Sequence, residues 1–567
     1  MEIPKKVEKE LDKYSPLVRR LLFNREIVTG KEAEEFFNPS YEDHVYDPFL
    51  MKNMAEVVER LYKAIKNKEK ICVFADYDCD GIPGAVVMTD LFTNINYTNF
   101  DIYIPDRHKE GYGLNREALK SIAESGAKLV ITVDLGISAV DDVEYGNSLG
   151  LEIIITDHHL PQEVLPNAFL ILNPKQPGDT YPDNMLCGTG VAFKLAQAFL
   201  STYEDEFKLK KGRDKWMLDM VGLATLADMV PLRKENRALA YYGLKVLRQT
   251  KRPGLLQLFR RVGLDMRNLQ EDDITFSVVP KLNAASRMDS PMRAYELLSE
   301  TDEGLAGAYA MHLTKINDER KTLVAIMMKN VKKTLSHPER ADRAIIVIGD
   351  PTWRPGVLGL VAGKIVDEYK KPAFVWGLEG GTTIKGSCRS DGTINIVEMM
   401  MSLDKDTLLD FGGHAGAGGF SVSHEEIHSL ENRLIESYEK LEVISTAEEK
   451  SLDIDTTISL DEVNEKTFKD IDKLAPFGIG NTKPTFLFEN IEIANVKIFG
   501  KAKDHLELTF KDSKNRDIKA ICFFKKPEDF GDKVEVGKKI NLIATIEKSF
   551  FGYKKEIRLR IVDILHP

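Results

Sequence analysis

From Ile71 onward the hydrophobic positions fall into two alternating kinds of run. Short apolar stretches, ICVFA (71–75), FDIYI (100–104), KLVITV (128–133) and LEIIIT (151–156), read as strands, the β-branched run Ile153–Ile155 as a buried one. Segments with helical spacing separate them: GAVVMTDLFTNI (84–95), REALKSIAESG (116–126) and VDDVEYGNSLG (140–150). This alternation predicts a doubly wound α/β fold with a parallel sheet. In such a sheet ligands sit beyond the carboxyl ends of the strands.

The pattern changes along the chain. Residues 1–65 read as polar-rich helices with a loop at Asn38-Pro39-Ser40, and 185–250 as mostly helical. Residues 296–340 read as one long charged helix joining two lobes, its Met and Leu spacing being that of core packing. A second α/β unit starts at RAIIVIGD (343–350) and carries helices at VAGKIVDEY (361–369) and EEIHSLENRLIESYEKL (425–441). EEKSLDIDTTISLDEV (448–463) reads as a linker. Beyond it lie short alternating runs: IEIANVKIFG, HLELTFKD, IKAICFF, INLIATIEKS and YKKEIRLRIVDI. They predict a small β-barrel, best matched by an OB-fold. The expected division is an N-terminal helical segment (1–45), a catalytic domain (46–295), a connecting helix (296–340), a second α/β domain (341–450) and an OB-fold single-strand-binding domain (451–567).

Composition adds bounds. A chain of 567 residues with 43% hydrophobic content is too long for one core. No apolar run approaches the ~18 residues that span a membrane, and MEIPKKVEKELDKYSP lacks the apolar stretch of a secretory signal. Five cysteines (72, 79, 187, 388 and 522) without a CxxC pair suit a reduced, cytoplasmic chain. The net charge of −11 conceals an asymmetry. Residues 491–567 hold 17 Lys and Arg against 12 Asp and Glu, a balance of +5, so the remainder carries −16. An acidic body with a basic end suits a metal-binding part joined to a part that holds a polyanion.

The unusual residues stand where strands stop. ADYDCDG supplies Asp76, Asp78 and Asp80; ITVDLG supplies Asp134; ITDHH supplies Asp157, His158 and His159; GLATLADMVPL supplies Asp228 at the end of an apolar helical stretch. Adjacent strand residues point to opposite faces, so the two histidines are expected to serve different sides. Taken singly, each has a plain explanation: a solvated Asp-x-Asp-x-Asp turn, a helix cap at Asp134, a surface cap at Asp228. Taken together, carboxylates at one sheet edge need compensation, which divalent cations supply. Aspartate with imidazole suits Mn²⁺ or Mg²⁺, and two metals sharing a carboxylate suit phosphoester hydrolysis. No G-x-G-x-x-G follows the first strand, which argues against a dinucleotide site.

DYDCDG, VDLGIS, TDHH and ADMVPL resemble, in order and spacing, the four motifs of the DHH phosphoesterase superfamily. NAASRM (283–288), PGVLGLVAGKI (355–365), KGSCRS (385–390), GGHAGAGGF (412–420) and APFGIGNTKPTF (475–486) resemble the RecJ single-strand-specific DNA exonucleases. The resemblance implies a metal set of Asp78, Asp80, Asp134, His158 and Asp228, with Asp76 in the same loop and Asp134 as the bridge. It places His159 at the scissile phosphate, with Asp157 fixing the site from behind. The glycine-rich loop Gly412-Gly413-His414, with Arg287, Ser387 and Arg389, is implied to anchor the 5′-end nucleotides. The implied reaction is 5′→3′ hydrolysis of single-stranded DNA to 5′-mononucleotides in recombination and repair, by a monomer acting beside a helicase and a single-strand-binding protein. Phe523, Phe524, Phe550, Phe551 and Tyr553 are the candidate base-stacking residues of the barrel. The chain departs from the family pattern at Leu135, Ser286, Arg354 and the extra glycines of GGHAGAGGF, none of them a proposed metal ligand. The rival readings are another DHH phosphodiesterase, such as a nano-RNase or cyclic-dinucleotide enzyme, and a non-catalytic single-strand-binding scaffold.

Overall fold

The computed structural model describes residues 2–378, 382–441, 453–500, 503–549 and 556–566. They fall into two compact units, one made of 47–228 and 243–450, the other of 1–46, 229–242 and 451–567.

The first unit opens with a five-stranded sheet: β1 (Lys70–Ala75), β2 (Phe100–Tyr103), β3 (Ala127–Val133), β4 (Glu152–Thr156) and β5 (Leu170–Leu172), in the order β2-β1-β3-β4-β5. Every pairing is parallel. Residues Ile71–Ala75, Leu129–Val133 and Ile153–Thr156 are buried, as expected when helices cover both faces of a sheet. The intervening helices are α1 (Gly81–Asn94), α2 (Arg116–Glu124) and α3 (Val140–Ser148). The strand order reverses between β1 and β3, and that switch point is where a doubly wound sheet opens a crevice. Helices α4 (Gly188–Thr202) and α5 (Leu218–Ala227) follow, both apolar on nearly every side and correspondingly buried. Helix α6 (Val279–Met288) carries the NAASRM motif.

The expected single helix over 296–340 is broken into three, the last a short one at Pro338–Ala341. The first runs Met292–Ser299, and α7 spans Glu303–Leu335 over 33 residues. The break before α7 is a cap: the Asp302 carboxylate accepts the Leu305 N–H at 2.8 Å. The second lobe holds β6 (Ile346–Asp350), α8 (Pro355–Tyr369), β7 (Ala373–Gly377), β8 (Ile384–Arg389), β9 (Asp410–His414) and β10 (Ala417–Val422), with strand order β6-β7-β8-β10-β9. The GGHAGAGGF segment is therefore a hairpin at the sheet edge, not a loop. Gly413 and Gly418 face each other across it, where a side chain at Gly413 would strike the Ala417 carbonyl.

In the second unit, β11 (Thr456–Thr457), β12 (Phe486–Phe499), β13 (His505–Lys511), β14 (Asp517–Phe523), β15 (Lys539–Ser549) and β16 (Glu556–Leu565) form the sheet, and the β12–β15 pairing closes five of them into a barrel. The N-terminal helices do not stand apart as a segment of their own. Leu11, Val18, Leu21 and Leu22 join Phe486, Phe488, Leu508 and Leu542 in one apolar core. Arg25 stitches the helices to the APFGIGN motif, its Nε donating to Asn481 Oδ1 (2.8 Å) and its Nη2 to the Thr482 carbonyl (2.7 Å). Asn481 in turn donates to the carbonyls of Leu474 and Pro476. No described helix is long and apolar enough to cross a membrane.

Candidate active site

The main-chain ladder of the first sheet runs one residue past each strand. Asp76 N–H donates to the Val133 carbonyl (3.1 Å), Asp134 N–H to Thr156 (3.0 Å) and Asp157 N–H to Leu172 (3.0 Å). Three acidic residues from three neighbouring strands therefore occupy successive rungs at the switch point. Asp134 does so with φ +64°, a left-handed backbone that aspartate tolerates better than most residues.

Two helices close on these rungs because glycine stands at the contact. A Cβ on Gly81 would lie 2.5 Å from the Asp76 carbonyl oxygen, and one on Gly188 would lie 2.4 Å from Asp134 Cβ. The Asp80 carboxylate takes the first N–H groups of α4, from Gly188 (2.6 Å) and Thr189 (2.8 Å). A helix N-terminus is a favourable place for that charge. Asp78 Oδ1 accepts the Asp80 N–H at 2.8 Å, which folds the ADYDCDG turn inward.

The side chains then converge. Ligand atoms of Asp76, Asp78 and Asp134 lie within 4.8 Å of one another, as do those of Asp80, His158 and Asp228, and those of Asp134, His158 and His159. Asp134 and His158 each belong to two of these sets. His158 Nε2 is 3.2 Å from Asp134 Oδ1 and 3.8 Å from both Asp80 Oδ2 and Asp228 Oδ2. Asp76 Oδ1, Asp134 Oδ1 and His158 Nδ1 are buried without a hydrogen-bond partner. Burial and then the neighbouring carboxylates push Asp76, Asp78 and Asp134 above the ordinary aspartate range, and Asp228 up to about 8. Buried oxygens with no donor and crowded carboxyls with too little countercharge fit a divalent-cation site.

The histidine pair departs from strand geometry. β4 ends at Thr156, and the N–H groups of His158 and His159 both turn back onto Asp157 Oδ1 (2.7 and 3.1 Å). The two rings consequently lie side by side, 4.5 Å between centroids, instead of on opposite faces. His159 Nδ1 meets the same Asp157 oxygen at 2.8 Å, which leaves Nε2 free, and the side chain is 48% exposed. Burial works against a charged His159, yet the bond to Asp157 outweighs it and raises the imidazole. The same contacts, with the Ile137 N–H at 2.9 Å, hold Asp157 low despite its burial. Lys175 donates to the His158 carbonyl, and Asn173 donates to that of His159 at 3.0 Å.

A second cluster is cationic. Arg389 Nη2 and Ser387 Oγ lie over Gly359 in the first turns of α8, 3.0 and 3.3 Å from where a Cβ would stand. Arg287 donates to the Gly356 carbonyl (3.3 Å). Burial, and then the charges of Arg107, Arg320 and Arg389, push Arg287 down to about 9. Gly412, Gly413 and His414 occupy the exposed edge strand β9. Among the described residues, no hydrogen bond joins His414 to Arg287 or Arg389. Arg107, over the Tyr77 ring at 5.0 Å, and Tyr112, whose ring is 6.3 Å from both Tyr77 and His159, were not foreseen. The available signal was the run GYG, in which Gly111 and Gly113 adopt φ +87° and +89° on either side of Tyr112.

The departures from the family pattern leave the acids untouched. Leu135 points into the apolar core, Ser286 bonds back to the Asn283 carbonyl (3.3 Å), and Arg354 donates to the Met288 carbonyl (2.8 Å). On the barrel, Arg560 lies over the Phe523 ring at 4.2 Å. Phe524 is 78% exposed, its N–H donating to His505 Nδ1 (3.1 Å). Phe550, Phe551 and Tyr553 lie outside the described residues.

Family models match in three places: the DHH family, N-terminal domain, over 70–225; the DHHA1 domain over 342–440; and the RecJ OB domain over 454–563. The single-stranded-DNA-specific exonuclease RecJ of Bacillus subtilis is 35% identical over 553 residues, covering 97% of this chain and 68% of that one. The chain belongs to the RecJ family. The RecJ of Escherichia coli is 32% identical over 431 residues, 74% of each chain. Among solved structures, RecJ from Thermus thermophilus in complex with Mn²⁺ superposes with a TM-score of 0.81 at 23% identity, covering 100% of this chain and 79% of that one. An exonuclease RecJ bound to manganese gives 0.61 at 29% identity, covering 69% and 95%. The RecJ fold thus extends through both units.

Proposed function

We propose that the chain is a metal-dependent exonuclease that hydrolyses single-stranded DNA from its 5′ end to 5′-mononucleotides. One observation carries this reading: the first unit holds both an under-compensated carboxylate cluster at the sheet switch point and an arginine cluster with no ion-paired carboxylate among the described residues. A cation site beside an anion site is what phosphodiester hydrolysis requires.

Asp76, Asp78 and Asp134 would hold one divalent cation, and Asp80, His158 and Asp228 a second, with Asp134 shared. When bound, two such cations neutralise the carboxylates, polarise the phosphodiester and acidify the attacking water. The remaining roles belong to the chain. Asp157 fixes the His159 ring and keeps it charged, so that Nε2 can give a proton to the leaving 3′-oxygen. Arg287, Ser387 and Arg389, with the N-terminal turn of α8, hold the 5′-terminal phosphate, and the β9 edge with His414 lines the path beside them. Phe523 and Phe524 with Arg560 offer bases a stacking surface on the barrel. Five free, buried cysteines fit a reducing compartment, and a monomer working with a helicase and a single-strand-binding protein fits the need for a supply of unpaired strand.

Product analysis of one oligonucleotide labelled at either end tests this reading. With Mn²⁺, the 5′ label is expected first as a mononucleotide, while the 3′ label stays on shortening strands; chelator stops both. Release of the 3′ label first overturns the polarity. Faster turnover of a dinucleotide than of the long strand overturns the substrate class.

A further inference from the structure

β5 ends at Leu172, two residues short of Pro174, which has no N–H to give to a ladder. Past that point the bonds from this segment to the histidine turn come from side chains. Asn173 is fully buried and uses both ends of its amide: Oδ1 accepts the Lys175 N–H at 2.8 Å, and Nδ2 donates to the His159 carbonyl at 3.0 Å. Lys175, half-buried, donates from Nζ to the His158 carbonyl at 2.5 Å. The two residues flanking Pro174 thus hold one histidine carbonyl each. The rings are held unequally. His159 Nδ1 is tied to Asp157 at 2.8 Å. His158 Nδ1 is buried with no hydrogen-bond partner, while Nε2 faces Asp134, Asp80 and Asp228.

A histidine that ligates a metal ordinarily donates its second ring N–H to an oxygen, and that bond sets the direction of the ring. His158 lacks it, so the main chain must aim the imidazole. That main chain is pinned at its N–H by Asp157 and at its carbonyl by Lys175. We propose that Lys175 is a positioning residue for metal binding: its bond to the His158 carbonyl aims His158 Nε2 at the cation shared with Asp80 and Asp228, in place of the missing bond at Nδ1. This rests on the reading of His158 as a metal ligand. The charge of Lys175 pulls the other way. The ammonium makes no ion pair among the described residues and acts on the same carboxylates, Asp228 and Asp157, that a cation site draws on. An ammonium so placed opposes a divalent cation. Positioning and electrostatics therefore predict opposite signs when Lys175 is removed.

The test is calorimetric titration of the full chain with Mn²⁺, without DNA, for the parental protein, K175M, N173A and H158A. K175M is expected to bind Mn²⁺ about tenfold more weakly, the usual loss when the outer partner of a metal ligand is removed. A lysine that acts only through its charge would give tighter binding on removal, and one that does nothing here would give no change; either result overturns the proposal. N173A frees the carbonyl of His159 and not that of His158, so its Mn²⁺ affinity should stay at the parental value. A loss as large as that of K175M would show that the turn merely needs both struts, which also overturns it. Should K175M not fold, K175Q, neutral and one bond shorter, decides by the same sign. Parental affinity in H158A overturns the metal assignment and this inference together. Weakened binding in H158A with unweakened binding in K175M overturns this inference alone.

Discussion

Asp134 combines a left-handed backbone, a contact with Gly188 and membership of two ligand sets. Asp134→Asn keeps the shape and the tolerance for positive φ while deleting the charge. We expect it to reduce hydrolysis by about a thousandfold or more, as removal of an essential metal ligand does. The metal-free variant should melt no lower than the parent, because one of several repelling carboxylates is gone. Mn²⁺ should raise the thermal midpoint of the parent more than that of the variant, which keeps Asp80, His158 and Asp228. The same crowding sets a pH dependence. Asp76, Asp78, Asp134 and Asp228 are raised in the folded chain, so it retains protons that the unfolded chain has already released. Without metal, stability must therefore fall as pH climbs from the ordinary aspartate range to about 8, where Asp228 ionises. Melting curves in chelator at a series of pH values check the slope, and Mn²⁺ should flatten it. At this scale the acids and histidines were readable because each ends an apolar run. Arg107 and Tyr112 were not, because only the fold brings the 101–113 segment over the site.

At the scale of elements, the approach of α4 to β3 depends on Gly188. A methyl group there would sit 2.5 Å from Asp134 Oδ1, so Gly188→Ala must push the helix or the aspartate aside. We expect about 1–3 kcal/mol of destabilisation in urea unfolding, the usual cost of overpacking, and a loss of activity larger than that alone would cause. A variant with parental stability and rate would show that α4 does not set the site. The strand–helix alternation of the first sheet was legible in hydrophobic period alone. The break before α7 was also written in the sequence, as the Asp302 cap, but the helical period on either side concealed it. The GGHAGAGGF hairpin was hidden for a different reason: its glycines carry no side chains, so no in–out alternation marks the strands.

For the whole molecule, the core shared by the N-terminal helices and the barrel changes what truncation does. A chain ending at residue 450 would strip Leu11, Val18, Leu21 and Leu22 of the barrel residues that bury them, and Arg25 of Asn481 and Thr482. We expect that fragment to aggregate on size-exclusion chromatography, whereas removing 1–45 as well should restore a soluble species with Mn²⁺-dependent melting. Sequence reading could not anticipate this. Segments more than 400 residues apart share a core, and no local pattern announces such a pairing.

The rungs that carry Asp76, Asp134 and Asp157 are fixed by peptide groups, not by side-chain packing. Their separation is that of neighbouring strands, about 4.8 Å, whatever residues fill the layers above and below. Repacking behind the sheet can alter how firmly the protein holds together without moving the acids. The spacing of these three acids is, in effect, ruled by the backbone itself.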